Sequence, residues 1–342
     1  MSALGLGAAI FGCAGPVLQQ NERAFFADVD PFGFIIFARN VETPDQLRRL
    51  TGDLRAAVGR NAPILIDQEG GRVQRLRGPH WREWVPPLAM VQAAGANAAR
   101  VMALRYRMIA RELRSVGIDA NCAPMADLIT DQTHPFLKNR CYGSDPIEVS
   151  SIARAVADAH LAEGVLPVLK HMPGHGRSAV DTHYDLPMVN ADRETLQRTD
   201  FAPFRALNDL PMAMTAHLVF SAYDMRPATQ SSVMVDVIRN DIGFGGLLIT
   251  DDLNMQALSG TLASRTALSM AAGCDLALHC KGDLAEMIEV AAAAGGMAAA
   301  TLIRARRASD ARHAPDLVDP DPVDIDALQA EVLALLPGAC DA

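Results

Sequence analysis

Short apolar runs alternate along the chain with longer stretches whose apolar positions recur at helical spacing. The short runs are residues 8–13, 33–37, 63–67, 118–123, 165–170, 212–217, 246–250 and 275–279. They are continuous rather than alternating, which is the pattern of strands covered on both faces in a parallel sheet. Helices are expected between them. Thr43-Pro44 opens one with a capping hydroxyl and a first-turn proline. Residues 89–115, 146–163, 192–208 and 232–240 are others, and Gly117 and Gly164 stand where a glycine ends a helix. Eight strands with intervening helices in one run predict an α/β protein, a (β/α)₈ barrel. A doubly wound open sheet is the alternative, and eight alternations without a break favour closure. Residues 1–342 are expected to form a single domain, with peripheral helices from about 297 to 342.

Composition narrows the class of partner. The net charge is −9 and no basic cluster is present, which argues against a nucleic-acid surface and against binding to anionic lipid. Cysteines stand at 13, 122, 141, 274, 280 and 340, none in a CxxC pair. They are expected to be reduced thiols in a reducing compartment rather than zinc ligands. Residues 3–14 are apolar, but the first basic residue, Arg23, follows that stretch, whereas a secretory signal carries its charge first. A buried first strand is the expectation, and no run reaches the roughly 18 apolar residues of a membrane helix. A cytoplasmic monomer is expected.

In such a barrel the active site lies at the C-terminal ends of the strands. Here those ends carry Asp67, Lys170-His171, His217 and Asp251-Asp252. In Ile66-Asp67-Gln68-Glu69-Gly70-Gly71-Arg72-Val73-Gln74-Arg75, a strand delivers a carboxylate into a diglycine turn. Asp67 and Arg75 either bind neighbouring hydroxyls of one sugar ring or form an ion pair that closes the loop. A second segment runs from Lys170-His171 through Gly174-His175-Gly176 to Asp181-Thr182-His183. Asp181 and His183, two apart, can point the same way on an extended loop. A carboxylate on one imidazole nitrogen fixes the tautomer and leaves the other nitrogen to move protons near neutral pH. His171, His175 and His183 could instead bind a metal with Asp181, although no compact metal-binding spacing is present. The glycines of residues 174–181 suggest a mobile loop. In the third segment, Thr250-Asp251-Asp252-Leu253-Asn254-Met255, adjacent aspartates on extended chain face opposite sides. One can enter the pocket while the other caps the next helix or holds a donor one layer behind the pocket.

Together and in this order, the three segments resemble glycoside hydrolase family 3, and within it the single-domain NagZ-type β-N-acetylglucosaminidases. Ala123-Pro124-Met125-Ala126-Asp127 and Asn139-Arg140-Cys141-Tyr142-Gly143 match as well, and the resemblance runs from the first strand to about Gly273. Thr250 departs from the usual serine, Met172 from phenylalanine, and Asn139-Arg140-Cys141-Tyr142 from the more typical Asp-Arg-Ser-Phe. The resemblance implies that Asp251 is a nucleophile, His183 the general acid/base and Asp181 its partner. It implies that Asp67, Arg75, Arg140, Lys170 and His171 hold a terminal N-acetylglucosamine. In larger relatives the acid/base comes from a second domain; in this chain the barrel itself is expected to supply it through residues 181–183. A retaining double displacement without metal or organic cofactor follows, on GlcNAc-terminated anhydro-muropeptides in peptidoglycan recycling. Three rivals stand beside it: a glycoside phosphorylase, whose phosphate an imidazole repels less than a carboxylate does; a metal-dependent hydrolase using the histidine loop; and a sugar-binding barrel without catalysis.

Overall fold

A computed structural model of the protein describes residues 4–179, 186–313, 317 and 319–336. Its eight parallel strands are β1 (Gly7–Phe11), β2 (Pro31–Ile36), β3 (Ile64–Ile66), β4 (Ala120–Asn121), β5 (Leu166–Met172), β6 (Met212–Thr215), β7 (Leu247–Asp252) and β8 (Leu276–His279). Each pairs with its neighbours in chain order, and the sheet closes on itself where β1 meets β8, with Phe11 beside both Phe34 and His279. The expected (β/α)₈ barrel is therefore the observed one.

Strand periodicity explains why the runs had to be apolar throughout. Side chains alternate across a strand, so Ala8 and Ile10 fill the barrel interior with Leu65, Val168, Met212, Leu247 and Leu276. Ala9 and Phe11 face outward into the layer under the helices, with Ile36, Ile66, Leu169 and Leu248. The floor of the barrel is closed by ion pairs from the C-terminal helix Ala299–Asp310 and the residues after it. Arg304 and Arg239 hold Asp275 at the foot of β8, and Arg312 holds Asp119 below β4. A last helix, Pro322–Leu335, lies against the long helix Ala98–Ser115. Among the described residues, no helix is long and apolar enough to cross a membrane.

Helix starts follow the local chemistry. Thr43 Oγ1 accepts from Gln46 N at 3.2 Å, and Asp145 caps Pro146–Ala162 through the amides of Ile147 and Glu148. Two long expected helices are broken instead. The first stops at Ala94, where Gly95 turns to φ +52°, and resumes at Ala98. The second splits into Arg193–Arg198 and Ala202–Ala206. Pro203 has no amide hydrogen and its ring collides with the carbonyl four residues back, so helix cannot pass through Thr199.

Candidate active site

Beyond β3 the chain makes an antiparallel hairpin of Gln68–Gly70 and Val73–Gln74, turning at Gly71-Arg72. Gly70 adopts φ +109°, and a Cβ there would lie 1.8 Å from Arg105 Nη2. Only glycine lets the buried Arg105 donate to the Glu69 carbonyl, at 2.6 Å. The hairpin returns Arg75 to the strand end, where Nη2 meets Asp67 Oδ2 at 2.9 Å. From β5, Lys170 Nζ reaches Asp67 at 3.1 Å and Glu69 at 2.6 Å. Arg140 closes the cluster on Glu69 with two bonds of 2.9 and 2.8 Å.

Two carboxylates thus share three cations. Burial pushes the Glu69 carboxyl up, but Arg140 and Lys170 outweigh it and hold the group down at about 2. Asp67 likewise lies well below the ordinary carboxylate range, burial being overcome by Lys170 and Arg75. Lys170 is moved the other way: burial lowers it, yet Glu69 and Asp67 raise it and keep the ammonium charged. Among the described residues Arg75 Nε is buried without a partner, a donor suited to a bound acceptor.

At the end of β5, His171 Nδ1 meets Asp127 Oδ2 at 2.7 Å, and the same carboxylate accepts from His175 N at 2.6 Å. Asp127 therefore anchors the start of the glycine-containing segment. Gly176 packs so closely that a Cβ would lie 1.8 Å from the Leu128 carbonyl oxygen. Gly174, His175, Gly176 and Ser178 are buried against the barrel, and the rest of the expected loop runs into residues outside the described ones. Burial and the nearby His171 pull the His175 imidazole down to about 4, so it is neutral. Asp181 and His183 lie outside the described residues.

β7 presents the paired aspartates, and they differ as expected of adjacent strand residues. Asp252 Oδ1 accepts from Asn254 N and Cys280 N, both at 3.2 Å, and fixes the turn after β7 to the end of β8. Asp251 accepts only from the amide of Asp252, at 2.8 Å, and makes no ion pair among the described residues. Burial raises the Asp251 carboxyl, but His171, His217, the Asp252 amide and Lys170 together bring it below the usual carboxylate value. His217, at the end of β6, is a supporting residue. Its ring bonds to Thr229 Oγ1 at 2.8 Å and to the Asp252 carbonyl at 3.1 Å.

Asp67, Arg75, Arg140, Lys170, His171 and Asp251 line one cavity of about 360 Å³ at the C-terminal ends of the strands. Asp67 and Arg75 form the ion pair of one reading, and both line the cavity. Phe37, Arg72, Phe136, His175, Asp252, Met255 and Cys280 are among the other residues of its wall. Glu69 and Asp127, which no sequence motif marks out as site residues, hold Arg140 and His171 in place. The signal for Glu69 was present: two residues from Asp67 on extended chain, it shares that residue's side. Among the described residues no three His, Cys, Asp or Glu side chains converge as metal ligands. Five cysteines are buried free thiols, and Cys340 lies outside the described residues.

The family model described as Glycosyl hydrolase family 3 N terminal domain matches residues 16–307. A β-hexosaminidase of Alkalilimnicola ehrlichii is 37% identical over 285 residues, covering 80% of this chain and 81% of its own. One from Pseudomonas aeruginosa is 32% identical, covering 84% and 86%. The crystal structure of NagZ from Neisseria gonorrhoeae in complex with N-trifluoroacetyl-D-glucosamine superposes with a TM-score of 0.86. It shares 27% identity, covering 98% of this chain and 99% of that one.

Proposed function

The chain belongs to glycoside hydrolase family 3, and from that premise we propose that it is a retaining exo-β-N-acetylglucosaminidase. The observation that carries this reading is Asp251. Its carboxyl, held below the usual carboxylate value, lies at a strand end on the cavity wall, without a cation bound to it among the described residues, and shares that cavity with a cluster rich in hydrogen-bond donors. In the reading proposed, Asp67, Arg75, Lys170, Arg140 and His171 hold a terminal N-acetylglucosamine, Arg140 partly through its grip on Glu69. An Asp251 oxygen bonds to the anomeric carbon as the glycosidic C–O bond breaks, and His183, oriented by Asp181, gives its proton to the departing oxygen. Water then attacks the same carbon, its proton passes to His183, and Asp251 leaves as carboxylate. Two inversions retain configuration.

His175, being neutral and hard to protonate, is a poor proton donor at neutral pH, which supports leaving that task to His183. The natural substrate in this reading is a GlcNAc-terminated anhydro-muropeptide met in the cytoplasm during peptidoglycan recycling, by a monomer that uses no cofactor. The test is release of p-nitrophenol from its β-N-acetylglucosaminide by wild type and Asp251→Ala, with EDTA present and phosphate absent. Turnover that the variant loses by ~10³ or more, at least ~4 kcal/mol of barrier, is the expected result. A rate that requires phosphate would make it a phosphorylase. Activity lost to EDTA and restored by zinc would move the chemistry to a metal.

A further inference from the structure

One cation of the cavity is treated differently from the rest. Lys170, Arg140 and Arg75 each meet a carboxylate within the pocket. Arg72 lines the same cavity but is exposed, and makes no ion pair among the described residues. It stands at the turn of the hairpin after β3, and its guanidinium carbon lies 3.5 Å from the centre of the Phe136 ring. Phe136 belongs to the single helical turn Pro135–Lys138, which His134 caps by accepting from Phe136 N at 3.2 Å. Stacking on an aromatic face fixes the plane of a guanidinium and leaves its edge N–H groups available. Phe136 thus holds Arg72 without neutralising it.

The cavity also has a direction. Its inner end is formed by the buried Lys170, Arg140 and His171, its outer end by the exposed Arg72. An enzyme that removes a terminal sugar takes that sugar at the closed end, so the leaving group lies toward solvent, on the Arg72 side. The protein as a whole carries −9, and Asp67, Asp251 and Asp252 in the pocket repel an anion, while Arg75, Arg140 and Lys170 are each already bound to a carboxylate. A standing guanidinium at the mouth offsets that repulsion locally. We propose that Arg72, braced by Phe136, binds a carboxylate on the leaving group, so that anionic aglycones are preferred over neutral ones. This rests on the reading of the site as a β-N-acetylglucosaminidase.

The experiment compares kcat/KM for two matched disaccharides, N-acetylglucosamine β-1,4-linked to N-acetylmuramic acid and the methyl ester of the same compound. They share one leaving oxygen and differ in one charge. Wild type should favour the acid by roughly tenfold, the scale of one charge-assisted hydrogen bond at a partly exposed site. Arg72→Gln should bring that ratio close to one, and Phe136→Leu should lower it. Added salt at about 0.5 M should lower the wild-type ratio too, because exposed charges are screened. The ratio is insensitive to a general loss of folded enzyme, which reduces both rates alike. A wild-type ratio near one, or a ratio unchanged in Arg72→Gln, overturns the assignment of Arg72 while p-nitrophenyl glycoside turnover still upholds the reading of the site. Wild type that cleaves neither disaccharide nor the aryl glycoside overturns both.

Discussion

Arg140 grips Glu69 with two nearly parallel bonds, Nε and Nη2 donating to the two carboxylate oxygens at 2.9 and 2.8 Å, and both side chains are buried. Lys170 adds a third contact to the same carboxylate at 2.6 Å while also touching Asp67. Glu69 is therefore the joint between Arg140 and the Asp67–Arg75–Lys170 group. Removing its charge leaves buried cations short of a counter-ion, which is far costlier than removing both partners. Glu69→Gln should lose about 3–5 kcal/mol of stability, read by urea unfolding. Glu69→Leu combined with Arg140→Met should lose less than Glu69→Gln alone. A double variant that is less stable than Glu69→Gln would show that the pair is not coupled as the geometry implies.

Adjacent aspartates with different partners should fail differently. Asp251→Asn removes the proposed nucleophile, and activity should fall by ~10³ or more. Asp252→Asn keeps the shape of a group that fixes two backbone amides, so a partial loss, of the order of tenfold, is expected. The pH profile follows from the sign of the Asp251 shift. As the proposed nucleophile Asp251 would act as its anion, and its pKa is depressed, so activity should persist as pH falls through the usual carboxylate range. The acid limb of kcat/KM should lie below about pH 4. Equal losses in the two variants, or an acid limb near pH 6, would move the nucleophile elsewhere.

The barrel was legible because burial on both faces writes eight uninterrupted apolar runs into the chain, and every one became a strand. Site residues at strand ends, Asp67, Lys170, His171 and Asp251, were legible for the same reason: the run stops where the charge begins. Helix continuity was less so. Residues 192–208 keep helical spacing across Pro203, and the pattern of apolar positions does not register a missing amide. Glu69 and Asp127 were missed because their role is to hold other side chains. Arg140 is 71 residues from Glu69, and Asp127 is 44 from His171, and no local pattern encodes such a meeting.

Two buried histidines should make the protein sensitive to mild acid. Burial pushes His160 down to about 4, with its ring held between Asn121 Nδ2 at 3.0 Å and the Val156 carbonyl at 2.9 Å. His175 lies at about 4 for similar reasons. In the unfolded chain both titrate near 6.5. Between those values the unfolded chain binds more protons at these two sites than the folded one, so their contribution to stability falls as pH drops from about 6.5 to 4, below which protonation of the depressed carboxylates Asp67, Glu69 and Asp251 continues the loss. Urea midpoints measured at pH 7, 6 and 5 should decrease in that order, and His160→Gln should flatten the slope. A midpoint that holds steady from pH 7 to 5 would mean that these rings are not buried in neutral form.

The proton donor is the assignment that kinetics can separate most sharply from its neighbours, because the described site contains a competing pair. Asp127 fixes His171 at 2.7 Å much as Asp181 is proposed to fix His183. A general acid matters in proportion to how poor the leaving group is. His183→Ala should therefore lose ~10²-fold or more on a sugar leaving group but keep most of its glycosylation rate on a 2,4-dinitrophenyl glycoside, whose phenolate departs without a proton. Its second step then lacks a base, so glycosyl-enzyme should accumulate and azide should restore turnover, giving a glycosyl azide of retained configuration. His171→Ala removes a proposed sugar contact instead, and should reduce both substrates by a similar factor with no response to azide. If the leaving-group dependence and the azide response follow His171→Ala, the acid/base is the Asp127–His171 pair, and His183 has some other task.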